Sequence, residues 1–306
     1  MPSKPNIASN RRSKASALKL RDRLEDLYGQ FHNSERVASD PLGLVPRSLP
    51  PEDFELASFL IAGLSYGRVA QIQASSRALL GRLHTFEISP HGEGLARALK
   101  HTDPRDLSRR LGPALEGWVH RLNTAADLRA VIEGLSRILQ THGSLARAFQ
   151  AGHDPSMKIQ IENFAASLNS AFLANESKHA PAPEHWIGTG PQWFAPSPAA
   201  GGTSKRMMMW LRWMVRRDAV DPGTWREESL LDLSKEKPNP ARLFVPVDTH
   251  IFQWAKSERI TRFAGPSWKV VEEITQALRE ADPTDPVKYD FAICHAGMTE
   301  FSRVKK

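Results

Sequence analysis

The sequence is poorest in cysteine. One residue, Cys294, is all that 306 positions contain, so an internal disulfide is excluded, and so is an iron–sulfur cluster or a Cys-rich zinc site built from this chain. Tyrosine is scarce as well, with three residues. No run approaches the roughly 18–20 uninterrupted apolar residues of a membrane span. Residues 1–17 are basic and polar without an apolar core, which does not read as a secretory leader. Histidines are scattered with no His-Glu-x-x-His spacing, and there is no Walker loop, Rossmann fingerprint or Gly-x-Ser-x-Gly elbow. With so little cysteine, a cytoplasmic chain is the default expectation.

What is present is ordinary for a globular protein: 41% hydrophobic and 25% charged residues. The charge is unbalanced, with 41 Lys+Arg against 34 Asp+Glu, a net +7 and a pI near 9.6. That balance permits a nucleic-acid partner, because neutralising phosphates releases counterions, but does not demand one.

Along the chain, residues 1–16 read as a disordered basic tail. Helical spacing begins near Ala17, with Leu18, Leu20, Leu24, Leu27, Tyr28 and Phe31 on one stripe. Pro51-Glu52-Asp53 opens a helical pattern running over 54–83 and broken at Ser65-Tyr66-Gly67. Further helices are expected near 92–100, 104–110, 113–121, 124–140, 144–150 and 156–173. The segment 176–202, rich in Pro and Gly, reads as a loop. A helix over 203–217 follows, then a polar insert over 218–243, helices over 248–258 and 266–281, and a last one over 285–302. The best strand candidate is the short Leu243-Phe244-Val245 run. The expected fold class is all-α.

The informative stretch is Gly201-Gly202-Thr203-Ser204-Lys205-Arg206, followed 43 positions after the lysine by Asp248 within Val245-Pro246-Val247-Asp248-Thr249-His250. Two glycines let backbone approach an anion, and the helix start behind them attracts negative charge. Positions 205, 209, 212 and 216 share one stripe, so Lys205, Met209, Arg212 and Arg216 face a common side of a helix that is otherwise mostly apolar. Taken singly, Lys205 could be a solvated first-turn lysine and Asp248 a helix cap.

Together, Gly-Gly-Thr-Ser-Lys and Val-Pro-Val-Asp-Thr-His resemble the helix-hairpin-helix DNA glycosylase superfamily, in particular its 8-oxoguanine glycosylase branch. The run from Lys205-Arg206 through Leu211-Arg212-Trp213-Met214-Val215-Arg216-Arg217-Asp218, with Asp285-Pro286-Val287-Lys288-Tyr289-Asp290-Phe291, also resembles an uncharacterised bacterial family assigned to that superfamily, from about residue 18 onward. The resemblance implies two helical lobes with a cleft between them: a barrel over 52–217 ending in the hairpin, and a second lobe from 17–51 plus 218–306 carrying Asp248. It implies a monomeric base-excision enzyme acting on double-stranded DNA with a flipped base, without organic cofactor or metal, in the cytoplasm and on the nucleoid when bound to DNA.

Residue by residue, the resemblance makes Lys205 the amine nucleophile and Asp248 the carboxylate at the sugar, with Arg206 and Arg212 as cations favouring a neutral amine. Gly201, Gly202, Thr203, Arg206 and His250 would meet DNA phosphates. Tyr66 falls at the position that plugs the hole left by the extruded base, with Arg68 beside it; Tyr66 reads equally as a core residue at a helix break. Met209, Phe291 and His295 are walls of a base pocket or, equally, core. Three features depart from the branch: the insert 218–243, Pro196-Ser197-Pro198-Ala199-Ala200 in place of the usual Leu-Pro-Gly, and pocket positions that do not reproduce the 8-oxoguanine set. Excision of an oxidised purine from host DNA, excision of a hypermodified base from phage DNA, a non-catalytic binder of distorted DNA and, because phosphate recognition alone does not distinguish the sugars, an RNA substrate all remain open to the sequence.

Overall fold

A computed structural model describes residues 14–85, 94–174 and 190–304. Most of the expected tail, 1–13, and the first part of the expected loop, 176–189, lie outside the described residues. Lys14–Ser16 already belong to the first helix, ahead of the start read from the sequence.

The described residues form α1 (Lys14–Phe31), α2 (Pro51–Gly63), α3 (Val69–Thr85), α4 (Leu95–His101), α5 (Pro104–Leu115), α6 (Ala125–His142), α7 (Leu145–Ala151), α8 (Met157–Leu173), α9 (Lys205–Val215), α10 (Thr249–Ser257), α11 (Trp268–Ala281) and α12 (Asp290–Val304). The fold is therefore predominantly helical, as the periodicity indicates. Among the described residues no helix is long and apolar enough to cross a membrane.

Two expectations fail locally. The helix expected over 113–121 is the end of α5 followed by a two-stranded hairpin, β1 (Val119–His120) and β2 (Asn123–Thr124). Strands of two residues are too short for alternation to register, and the turn places Arg121 at φ 52° without glycine to announce it. Leu243-Phe244-Val245 is not a strand. Its polar backbone is served by α11 instead: Val245 N donates to Thr275 Oγ1, and Leu243 O accepts from Arg279.

α2 is the central element. Asp53 through Gly63 are all buried, and two of its acids cap other helices. Asp53 accepts from Gly94 N and Ala96 N at the start of α4, and Glu55 from Leu145 N and Ala146 N at the start of α7. Each interaction satisfies N–H groups that a helix start leaves unpaired. α6 packs on α4, α5, α7 and α8, and α9 packs on α2, whereas α1, α10, α11 and α12 pack on one another. One apolar core runs through both groups.

The insert 218–243 folds into short 3-10 turns rather than a free loop. Trp225 enters the core against Trp210 and Phe149, both at 5.2 Å between ring centres, and donates to Glu55. Between residue 190 and α9 the described residues make only 3-10 turns, Pro191–Phe194 and Pro198–Ala200. Pro191, Pro196 and Pro198 lack the N–H that a full α-helical arm needs, so the first arm of the expected hairpin is not an α-helix among the described residues.

Candidate active site

α9 begins under strain. Ser204, its N-cap, sits at φ 48°, a left-handed conformation disfavoured for any residue with a Cβ, and makes no side-chain capping bond. Its buried Oγ has no hydrogen-bond partner among the described residues. The turn before it is fixed by Gly201 at φ 78°, whose carbonyl accepts from Trp268 N, the first residue of α11. Gly201 and Gly202 are exposed and an added Cβ would meet nothing within 4 Å at either.

This geometry aims Lys205 into a cavity of about 500 Å³. Lys205 Nζ lies 3.9 Å from Asp248 Oδ2, and the two side chains are 33% and 15% exposed. Asp248 caps α10, with Oδ1 accepting from Ile251 N at 2.9 Å. The cap leaves Oδ2 turned to the lysine and to Cys294, whose Sγ is 3.3 Å away. Burial and the Asp248 charge push the Cys294 thiol well above its ordinary range, so it stays protonated and acts as a donor.

Of the other residues singled out by sequence, Met209, Phe291, His295, Tyr66, Thr203 and His250 also line this cavity. Phe291 and His295 form a ring pair with centres 4.2 Å apart. Burial, reinforced by the Arg36 and Arg212 charges, lowers His295 to about 4. Its imidazole is neutral at physiological pH.

Four further residues are placed as follows. Tyr66 is half-buried, with its hydroxyl bonded to His120 O and Asn123 Oδ1, so its tip is anchored to the β-hairpin. Arg206 points its guanidinium over Trp193, at 4.1 Å, and over the Tyr66 ring, and burial lowers it to about 10. Arg68 is exposed on the turn between cavity residues Gly67 and Val69. Arg212 lines the cavity but its charge is matched: it bonds Asp221 at 3.1 Å and Asp290 at 2.5 Å. Arg216 continues that network through Asp221, Asp218 and Asp285. The stripe read from the sequence thus divides, with Lys205, Met209 and Arg212 at the cavity and Arg216 in a buried ion network.

Sequence reasoning passed over Asp40, Asp290 and Cys294. Asp290, Phe291, Cys294, His295 and Met298 recur at one-, three- and four-residue steps along α12 and all line the cavity, a helical-face signal that was available. Asp40 gave none, because it lies in a loop where it caps the following turn through Leu42 N. Residues 218–243 contribute nothing to the cavity wall. Among the described residues no cluster of His, Cys, Asp or Glu has the arrangement of a metal site.

No curated protein and no solved structure matches the chain. A family model described as "Protein of unknown function (DUF2400)" matches residues 40–299, a span that starts at Asp40 and takes in Lys205, Asp248 and Cys294. The chain belongs to the DUF2400 family.

Proposed function

We propose that the protein is a DNA N-glycosylase with an associated lyase step, which releases a damaged or modified base from duplex DNA through a Schiff base on Lys205. The observation carrying this reading is the 3.9 Å approach of Lys205 Nζ to Asp248 Oδ2 inside a cavity large enough for an extruded nucleoside. An amine and a carboxylate far apart in sequence share one pocket, beneath a glycine turn with exposed backbone.

The chemistry follows from that pair. Lys205 passes a proton to Asp248 and its lone pair forms a bond to C1′ of the flipped nucleotide. The C1′–N bond breaks, and the base leaves with that electron pair and takes up the proton that Asp248 received from Lys205, which returns Asp248 to its carboxylate. Positive charge developing on the sugar is stabilised by the Asp248 carboxylate. The Lys205 nitrogen, now a secondary ammonium, gives up a second proton by way of Asp248 to O4′, and as the C1′–O4′ bond breaks its lone pair forms the iminium with C1′. Loss of a proton from C2′ then expels the 3′-phosphate, and water hydrolyses the imine to regenerate the amine. Phe291, His295 and Met209 would flank the base. The net charge of +7 suits a polyanionic partner.

The test is borohydride trapping on duplexes carrying oxidised, alkylated, deaminated and glucosylated bases. A covalent protein–DNA adduct on at least one of them, absent from Lys205→Ala, is the expected outcome. Duplex binding without base release, strand scission or adduct across the panel would instead support a non-catalytic binder.

A further inference from the structure

The polar atoms around the cavity are unequally committed. Arg212 supplies donors, but Asp221 and Asp290 already occupy them. The acceptors are freer. Asp290 receives both Arg212 and Phe291 N on Oδ1, and its Oδ2 takes no hydrogen bond among the described residues, although the residue is 3% exposed. Asp40 receives Leu42 N on Oδ1, and its Oδ2 likewise takes none. The His295 ring, 6% exposed, makes no hydrogen bond among the described residues.

Burial raises Asp290 to about 6 against the pull of Arg212, leaving it mostly ionised at neutral pH. Burial also raises Asp40, opposed by Arg212 and Lys205. A carboxylate oxygen that faces the cavity without a donor becomes costly once a ligand displaces the water there, and a ligand that supplies N–H groups removes that cost. A ligand that presents carbonyl oxygens instead sets lone pairs against lone pairs.

On the footing of the glycosylase reading, we propose that the cavity selects a base carrying an exocyclic amino group, with Asp40 and Asp290 as the acceptors that distinguish it from its carbonyl counterpart. The Phe291–His295 ring pair and Met209 provide apolar faces for a planar ring, and the two carboxylates read its edge. A site built to receive a donor rejects the analogue lacking it more strongly than an apolar pocket rejects a change of size.

Matched pairs of duplexes make this exchange of amino group for carbonyl, together with the ring proton that accompanies it: 5-hydroxymethylcytosine against 5-hydroxymethyluracil, and 8-oxoadenine against 8-oxohypoxanthine. Single-turnover base release is expected to favour the amino member at least about tenfold in any pair that is processed. Asp40→Asn keeps an oxygen for Leu42 N but adds a donor, and is expected to narrow that ratio; its thermal midpoint and circular dichroism check the fold. Equal rates, a preference for the carbonyl member, or a ratio that Asp40→Asn leaves untouched would overturn the inference while the glycosylase reading stands. No release and no trapped adduct from any member or from the wider panel of modified bases would overturn both.

Discussion

Cys294 Sγ donates to Asp248 Oδ2 across 3.3 Å, tying α12 to the cap of α10. The two oxygens of Asp248 thereby have separate tasks, since Oδ1 is held by Ile251 N. A weak S–H donor of this kind contributes about 1 kcal/mol, or about fivefold in rate if the contact matters to the reacting geometry. Cys294→Ala is expected to slow single-turnover base release by about that factor at unchanged duplex affinity. Cys294→Ser, which keeps a donor, restores the rate. Identical rates for the alanine variant and the parent would dismiss the contact as incidental.

Capping and chemistry at Asp248 can be separated by two substitutions. Asparagine keeps an oxygen for Ile251 N, whereas alanine does not. Asp248→Ala is expected to lose about 1 kcal/mol of stability and Asp248→Asn a few tenths, measured by urea unfolding. Base release should fall by 100-fold or more, on the order of 3 kcal/mol, in both. If Asp248→Asn retains the parent rate, the carboxylate is a cap and nothing else.

What the sequence made legible was whatever rests on local periodicity or on short contiguous motifs. α1 shows this: Leu20 and Leu24 are 1% exposed on the stripe read from spacing, while Leu18 at its edge is 60% exposed. Lys205 and Asp248 stood out because each lies in a distinctive run, and the structure brings the pair into one cavity. Asp40 and the ion network of Arg212 and Arg216 were not legible. Their meaning comes from partners distant in sequence, and no helical or strand period connects Arg216 to Asp285. The β-hairpin escaped for the opposite reason, being too short to carry a period at all. Tyr66 was recognised as lying at a helix break, but its hydroxyl is committed to residues 120 and 123, which only the fold brings near.

Gly63 is required by contact rather than by backbone conformation. It lies at the end of α2, where a Cβ would fall 2.2 Å from Phe194 Cδ1, and that ring is itself 2% exposed. A buried ring with little room to move cannot yield. Gly63→Ala is therefore expected to destabilise the protein by about 1–3 kcal/mol, despite the higher helix propensity of alanine. A thermal midpoint equal to or above that of the parent would contradict the close packing of α2 against this turn.

Glu55 gives the fold a specific pH dependence. Burial pushes its carboxyl up to about 7, opposed by hydrogen bonds from Leu145 N, Trp225 Nε1 and Ala146 N. In the unfolded chain the group titrates near 4.5, so between that pH and 7 the folded state holds the proton more tightly. The contribution of Glu55 to stability is thus complete below 4.5 and is lost as pH rises through 7, by on the order of 3 kcal/mol. Urea midpoints measured from pH 5 to 8 should fall with this component in the parent and lack it in Glu55→Gln. The gap between the two proteins should therefore shift in favour of the variant as pH rises. Parallel curves would mean that Glu55 ionises normally, and that the start of α7 and Trp225 are held together by a carboxylate throughout.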